Sequence, residues 1–331
     1  MRLRVPHKLD QNGITHNLTP WVIVLIVGFS VLMTFHSVTS HAAGVSSDVK
    51  SGIKGYCLDD HDDSASAGAA VDSWRCNDSE AQTWTVGISS IKHGDSLCLA
   101  VDRNGTSTGD KVVLNACNTD PGQVWLIDQG GFYNPNSNMC LALPNDQTTQ
   151  QLVIASCSYV SEGYEQWQSA SPPSCKDTTG GERIACFAVQ EWSSWQTGNP
   201  SHETLLNTYT DGAPYEEWCA DFVSYVFKEA GSPFTGGETN GWDENIANNV
   251  QYQGFTLHPA ILYIAQPGDV AFFDYAGGHV EIVVSGGPTP TYVYGNSATI
   301  DPTTGNGQME ANTISDEGTL GQVSYFLTRN N

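Results

Sequence analysis

One cysteine–tryptophan spacing occurs three times in the first half of the chain. In each copy a cysteine stands 27 residues before a tryptophan, as in Cys57 and Trp84, Cys98 and Trp125, and Cys140 and Trp167. Equal spacing in consecutive copies indicates one supersecondary unit repeated along the chain. Gly, Asn, Asp and Ser divide each copy into short segments without a helical period, which predicts short strands. Because one such unit cannot bury a face alone, the three copies should close around a shared core.

The chain contains nine cysteines, an odd number. Pairing neighbours along the sequence predicts four disulfides: Cys57–Cys76, Cys98–Cys117, Cys140–Cys157 and Cys175–Cys186. This pairing leaves Cys219 single. In an exported protein, a single thiol is either a reactive group or an intermolecular link.

The amino-terminal segment has the pattern of an export signal. No Asp, Glu, Lys or Arg occurs between Asp10 and Asp48, and residues 21–35 within this gap are strongly apolar. That stretch is short for a membrane span but typical of a signal-peptide core. We therefore predict that residues 1–43 are a signal peptide cleaved near Ala42 or Ala43, with a retained membrane anchor as the alternative. Either way the remainder is secreted or extracellular, where disulfides persist.

The repeated motifs GYCLDD, SLCLAV and NMCLAL are followed by Gln-Thr-Trp, Gln-Val-Trp and Glu-Gln-Trp, respectively, and resemble the ricin B-type lectin family. The resemblance covers residues 49–170 and implies a β-trefoil. In this family a sugar is held by an aspartate two residues after the first cysteine and an aromatic residue two before the second. The first copy has both, Asp59 and Trp74, with Gln82 expected to support the aspartate. Asp72 stands where the family often has glutamine.

The other two copies lack this pair. Ala100 and Asn115 occupy the two positions in the second copy, and Ala142 and Ala155 occupy them in the third. The resemblance therefore implies one carbohydrate site, formed by Asp59, Asp72, Trp74 and Gln82, for a cell-surface glycan.

A linker rich in Ser, Pro, Gly and Thr is predicted at residues 171–182, before a second domain at 183–330. Residues 183–195 are compatible with a helix.

Apolar residues three and four apart predict another helix within 216–231, with Gly231 at its end. Cys219 lies in its first turn, where unpaired N–H groups and the helix dipole stabilise a thiolate. The alternative is a buried structural cysteine.

Three histidines could act as a base for this thiol. His202 is predicted to begin a helix and His258 to lie in a loop. His279 should begin the middle strand of an antiparallel meander formed by residues 268–275, 279–284 and 291–296. Only His279 therefore lies at the start of a predicted strand.

The register of this meander would decide which polar side chain orients His279. Pairing of Val284 with Tyr292 would bring Asn296 close to His279, where an amide could fix the imidazole tautomer. Glu281 shares the face of His279 and is the alternative orienting residue.

The segments WCADFVSYVF, PGDVAFF, GGHVEIVV and YGN, in this order, resemble the CHAP family of cysteine, histidine-dependent amidohydrolases and peptidases. The resemblance implies a papain-like α+β fold. It assigns Cys219 as nucleophile, His279 as general base and then acid, and Asn296 as the orienting group. It also implies an amide substrate in bacterial peptidoglycan, either a stem peptide or a cross-bridge.

These features together predict a two-domain, monomeric, secreted cell-wall hydrolase that a lectin module targets to glycans. The alternative is a glycan-binding lectin with an idle C-terminal domain. The chain has 13 Lys and Arg against 36 Asp and Glu, which argues against nucleic acid as a partner. No cofactor or metal is expected, because the acidic run at residues 59–63 lacks the ligand spacing of a calcium loop. The sequence leaves open amidase against endopeptidase specificity, the sugar, and whether the wall is the producer's own.

Overall fold

A computed structural model describes residues 46–144, 148–158, 164–169, 171–212, 218–234, 254–273, 279–296, 308–313 and 323–330. The predicted export signal at residues 1–43, with its cleavage site near Ala42 or Ala43, lies outside these ranges. Within them, no helix is long and apolar enough to cross a membrane. The described residues all belong to one compact unit.

Twelve short strands form the first part of this unit. They are β1 (Val49–Ser51), β2 (Tyr56–Asp60), β3 (Val71–Arg75), β4 (Trp84–Val86), β5 (Ile91–His93), β6 (Leu97–Val101), β7 (Val112–Ala116), β8 (Leu126–Asp128), β9 (Gly131–Asn134), β10 (Met139–Ala142), β11 (Val153–Ala155) and β12 (Trp167–Ser169). They make three antiparallel sheets of four strands, ordered β12-β1-β2-β3, β4-β5-β6-β7 and β8-β9-β10-β11.

The three repeated tryptophans lie in one shared core and make the same contact in each copy. Each indole nitrogen donates a hydrogen bond to a leucine carbonyl of its own copy: Trp84 to Leu58 at 2.9 Å, Trp125 to Leu99 at 3.0 Å and Trp167 to Leu141 at 3.0 Å. Backbone bonds also join the copies, such as Leu152 N–H to Val71 at 2.8 Å. This arrangement confirms the predicted β-trefoil.

The four predicted disulfides are all present in the structure. In each trefoil copy the bridge joins the residue after the start of one strand to the loop after the next. The fourth ties the segment at Cys175 to a helix through Cys186. Cys219 is the remaining cysteine; it is free and buried.

Among the described residues, three helices follow the trefoil: α1 (Gly180–Thr197), α2 (His202–Tyr209) and α3 (Cys219–Glu229). Helix α1 begins inside the predicted linker at 171–182, so this segment is partly helical. Helix α3 ends as predicted: Gly231 adopts a left-handed conformation with φ of 75°, and its N–H reaches the Lys228 carbonyl at 3.0 Å.

A six-stranded antiparallel sheet completes the second part. Its strands are β13 (Phe255–Pro259), β14 (Val270–Phe273), β15 (His279–Ser285), β16 (Thr291–Asn296), β17 (Gln308–Thr313) and β18 (Tyr325–Arg329). The order is β13-β18-β14-β15-β16-β17, and both α1 and α3 pack against β15. This is an α+β arrangement of helices on a sheet. His258 lies in edge strand β13, so the loop predicted for it was wrong.

The predicted meander is present as β14, β15 and β16, but its register differs by one residue. Val283, rather than Val284, pairs with Tyr292, because an irregularity between Val283 and Ser285 shifts the ladder.

The two halves of the molecule share apolar surface. Val124 and Leu126, next to the trefoil tryptophan Trp125, belong to the core cluster built around α1 and α3. Tyr133 of β9 packs on Trp192 of α1 with ring centroids 5.3 Å apart. Its hydroxyl donates to the Ala311 carbonyl of β17 at 3.4 Å. The trefoil therefore packs directly against the α+β half.

Candidate functional site

The free thiol lies at the first residue of helix α3. Trp218 occupies the N-cap position, and the Phe222 N–H closes the first turn onto the Trp218 carbonyl at 2.9 Å. N–H groups in a first turn have no acceptor within the helix, so the thiol sits beside free backbone donors. Cys219 is only 7% exposed and belongs to the core cluster of this half. Its position thus combines burial with the positive end of a helix.

His279 is placed beside this thiol by the start of strand β15. The imidazole is close enough to Cys219 for interaction with this thiol to raise the pKa of His279. Its Nε2 lies 3.3 Å from Oε1 of Glu281, the residue two positions further along the same strand. His279 is 8% exposed and Glu281 is fully buried. The structure therefore brings together a thiol, an imidazole and a carboxylate, in that order.

The surroundings of His279 favour its charged form. Burial alone lowers the pKa of His279, but hydrogen bonds to Cys219 and Glu281, and attraction to both, outweigh it and raise the pKa to about 10. The ring also meets Tyr294 edge to face, with centroids 5.2 Å apart. An imidazolium held in this way can stabilise a neighbouring thiolate and later donate a proton.

Asn296 is the last residue of β16, where it pairs with Gln308 of β17. On its other side β16 pairs with β15, where Ile282 lies opposite Val293. The same register, continued to the strand ends, would put position 296 opposite position 279. The side chain of Asn296 lies outside the described atoms, so its orienting role stays a prediction.

A second group of predicted residues meets at one end of the first trefoil copy. Asp59 on β2 is directly opposite Asp72 on β3, and Trp74 follows on the same strand with 48% of its surface exposed. They line a cavity of about 310 Å³. A buried carboxylate beside an exposed aromatic face suits a sugar, which has hydroxyls on its edge and apolar C–H groups on its face.

Gln82 holds Asp59 in place. Its side-chain nitrogen donates to Asp59 Oδ2 at 2.7 Å and to the Arg75 carbonyl at 3.0 Å, while its oxygen accepts the Asn77 N–H at 2.9 Å. Gln123 ties the matching loop of the second copy with equivalent backbone bonds. The bond to Asp59 is therefore an addition in the first copy, where an aspartate replaces the alanine of the other copies.

His61 was not among the predicted site residues. Its Nδ1 lies 2.6 Å from Asp72 Oδ2, and the side chain lines the cavity. That hydrogen bond raises the pKa of His61, and burial raises the pKa of Asp59 and of Asp72. His61 lies in the turn directly after β2, which ends at Asp60. Its place two residues after Asp59 is the sequence signal that could have included it.

Among the described residues, no three His, Cys, Asp or Glu side chains are arranged to hold a metal ion. In the acidic run, Asp60 instead accepts the Ala65 N–H at 2.6 Å and so shapes its own loop.

Two protein-family models match this chain. Residues 46–167 match the ricin-type beta-trefoil lectin domain, and residues 208–296 match the CHAP domain. The second match includes Cys219, His279, Glu281 and Asn296. The two matches support a glycan-binding module combined with an amidase or peptidase domain.

Individual proteins resemble the trefoil part. Ribosome-inactivating protein PMRIPt from Polygonatum multiflorum is 28% identical over 127 residues, which cover 37% of this chain and 21% of that protein. This chain thus spans about a fifth of that relative. Agglutinin from Abrus precatorius is similar at 20% identity with a TM-score of 0.35, over 44% of this chain and 52% of that one. The designed three-fold symmetric protein ThreeFoil is similar at 22% identity with a TM-score of 0.34, over 37% of this chain and 96% of that one.

Proposed function

We propose that this protein is an exported hydrolase that cleaves amide bonds of peptidoglycan with Cys219 as nucleophile, while its trefoil holds it on a glycan surface. The observation that carries this proposal is the buried free thiol beside an imidazole whose Nε2 lies 3.3 Å from a buried carboxylate. The match to the CHAP domain supports the amidase or peptidase class. The four disulfides suit an oxidising, extracellular compartment.

In the first half of the reaction, His279 accepts the thiol proton and becomes an imidazolium. The Cys219 thiolate attacks the carbonyl carbon of an amide in a stem peptide or cross-bridge, and the electron pair moves to the carbonyl oxygen. The backbone N–H of Cys219, at the helix start, is positioned to donate to that oxyanion. His279 then donates its proton to the amide nitrogen, the C–N bond breaks, and the amine leaves a thioester behind.

In the second half, His279 accepts a proton from water, and the hydroxide adds to the thioester carbon. Collapse of this intermediate breaks the C–S bond, releases a carboxylic acid and restores the thiol–imidazole pair. Glu281 keeps the ring oriented and stabilises its charged form through both halves, with Asn296 as a second orienting group on the neighbouring strand. No step requires a redox partner.

The catalytic proposal is tested by removing the thiol and the imidazole separately. Cys219→Ala and His279→Ala should each abolish lysis of purified cell walls, followed as loss of turbidity, without loss of secondary structure by circular dichroism. Because the two groups act as a unit, the double variant should be no worse than either single one. His258→Ala removes a histidine of the same half that lies on edge strand β13, and it should retain activity.

The outcome also decides between the hydrolase and a lectin with an idle C-terminal domain. A well-folded Cys219→Ala protein that clears walls at the wild-type rate would assign the thiol a structural role. Mass spectrometry of the released fragments would then identify the bond: a free muramic-acid carboxyl indicates an amidase, whereas new peptide termini indicate an endopeptidase.

The targeting proposal is tested at Trp74. Since half of this indole is already exposed, Trp74→Ala removes a stacking face without opening the core. Loss of one such face costs about 1 kcal/mol, so binding on a glycan array should weaken several-fold. Hydrolysis of soluble muropeptides should be unchanged. Asn115→Ala, at the matching position of the second copy, is the control, and equal binding by both variants would place glycan recognition elsewhere.

A further inference from the structure

The cavity in the first trefoil copy is strongly acidic. Its lining includes four carboxylates, Asp59, Asp62, Asp63 and Asp72, together with His61 and the exposed face of Trp74. Among the described residues no lysine or arginine lines it. The nearby Arg75 is turned to the Tyr56 ring, 5.6 Å from its centroid. Even a protonated His61 would neutralise only one of the four charges.

Asp72 is a second and independent observation that favours a positively charged ligand in this cavity. It is 2% exposed and lines the cavity, and its Oδ1 has no hydrogen-bond partner. Its strand neighbour across the ladder is another carboxylate, Asp59. Like charges directly opposite on adjacent strands destabilise a sheet, and an unpaired buried oxygen adds to that cost. Burial also raises the pKa of both carboxyls, although His61 beside Asp72 acts in the opposite direction.

The four carboxylates of the lining outnumber its polar side chains that can donate, which are His61, Asn77 and Ser79. Gln82 donates its amide N–H groups to Asp59 and to the Arg75 carbonyl, so they are not available to a ligand. Ala81 contributes only a methyl group to the lining. A ligand suited to this surface must therefore supply donors, and an ammonium supplies three of them with a full positive charge.

A bare metal ion does not fit the same geometry, because no three carboxylate or imidazole groups among the described residues converge on one point. A cavity of about 310 Å³ beside an indole face has room for a sugar ring. The aromatic face also favours a cation within about 6 Å of its centroid.

We propose that this cavity selects glycans that carry protonated amines, such as polymers of 2-amino sugars without N-acetyl groups. The sugar ring stacks on Trp74, and its ammonium group is held by the carboxylates of Asp59 and Asp72. The net charge of −23 draws such a polycation to the protein from a distance. This inference rests on the proposed glycan site and names the class of sugar that the site takes.

The test is calorimetry of the full chain with three probes: a β-1,4-linked glucosamine tetramer, its fully N-acetylated form, and lactose. The free-amine tetramer should bind at least about five-fold more tightly than either neutral probe, the size expected for an ammonium over an aromatic face with anionic partners. Its affinity should fall as salt is raised from low ionic strength, because salt screens attraction between partly exposed charges.

Two variants test whether the preference for the free-amine tetramer arises from the carboxylates of the cavity. Asp72→Asn and Asp59→Asn should each bring the affinity for the amine close to that for the acetylated tetramer. Asp95→Asn removes the same charge from an exposed turn between β5 and β6 and should leave the preference intact. If Asp95→Asn lowers it as much as Asp72→Asn does, only overall charge is at work and the inference fails.

The results separate this inference from the proposal on which it rests. Equal or tighter binding of lactose or the acetylated tetramer, lost in Trp74→Ala, would overturn the choice of amine while keeping the site as a lectin site. Absence of binding to all three probes would overturn both.

Discussion

At the scale of single residues, the carboxylate behind His279 distinguishes this site. Strand alternation predicts that Glu281 and His279 share a face, and the structure places them 3.3 Å apart. The sequence could not choose between Glu281 and Asn296, because the choice depends on which side chain reaches Nε2. Burial of Glu281 beside an imidazole is a property of the folded core, where a carboxylate needs a positive partner.

We predict that Glu281→Gln shifts the pH dependence of hydrolysis. The change preserves shape and an acceptor oxygen but removes the charge that favours the imidazolium. The pKa of His279 should therefore fall from about 10, and with it the alkaline limb of kcat/KM for a soluble amide substrate. Below that limb the charged form persists in both proteins.

A second carboxylate, which is half-buried, provides the control for this measurement. Glu191 accepts a hydrogen bond from Tyr209 at 2.8 Å and lies on α1, so Glu191→Gln should leave the limb in place. If Glu281→Gln does not move the alkaline limb of kcat/KM, the prediction is wrong and the ring of His279 is oriented by Asn296 instead.

At the scale of elements, strand β16 and the start of helix α3 fit together through a glycine. A Cβ added at Gly295 would lie 2.2 Å from Cζ3 of Trp218, the residue directly before Cys219. The close approach of strand and indole therefore fixes where helix α3 begins. The glycine of the YGN segment has this packing role in addition to its place beside Asn296.

Gly295→Ala should push the indole aside and cost about 1–3 kcal/mol of stability, the usual range for an overpacked core. The displacement should also lower activity, because Trp218 precedes Cys219, the proposed nucleophile. Denaturant unfolding and wall lysis measure the two effects. In a Trp218→Leu background the added methyl has room, so the same glycine change should cost much less; equal costs in both backgrounds would refute the clash.

The elements themselves were largely predictable, but their alignment was not. The spacing of Trp218, Phe222 and Val226 indicates α3, and Gly231 marks its end. The register of β15 on β16 was predicted one residue away from the observed pairing. An irregularity between Val283 and Ser285 causes the shift. Neither residue is a glycine or proline, so the sequence carries no local sign of it.

At the scale of the whole molecule, one trefoil copy differs from the others because the α+β half sits on it. Its core tryptophan is flanked by Val124 and Leu126, whereas threonines 83 and 85 flank the first tryptophan and glutamines 166 and 168 flank the third. Successive side chains of an extended segment point to opposite sides. Trp125 thus enters the trefoil core while its neighbours enter the other core. The sequence shows this difference between the copies, but it does not show that the α+β half supplies the surface against which Val124 and Leu126 pack.

Replacing the two residues that flank Trp125 with the threonines found around Trp84 should weaken the packing between the trefoil and the α+β half. Val124→Thr with Leu126→Thr recreates a Thr-Trp-Thr segment that the trefoil already tolerates around Trp84. The hydroxyls would enter the apolar cluster around Trp192, and lost side-chain volume would add a cavity. We expect a loss of about 2–5 kcal/mol, seen by calorimetry as a lower or split transition. The reverse change, Thr83→Val with Thr85→Leu, faces no second core and should have little effect. If the Val124 and Leu126 variant melts like the wild type, the shared apolar surface contributes nothing to stability and the two halves are coupled only by the chain.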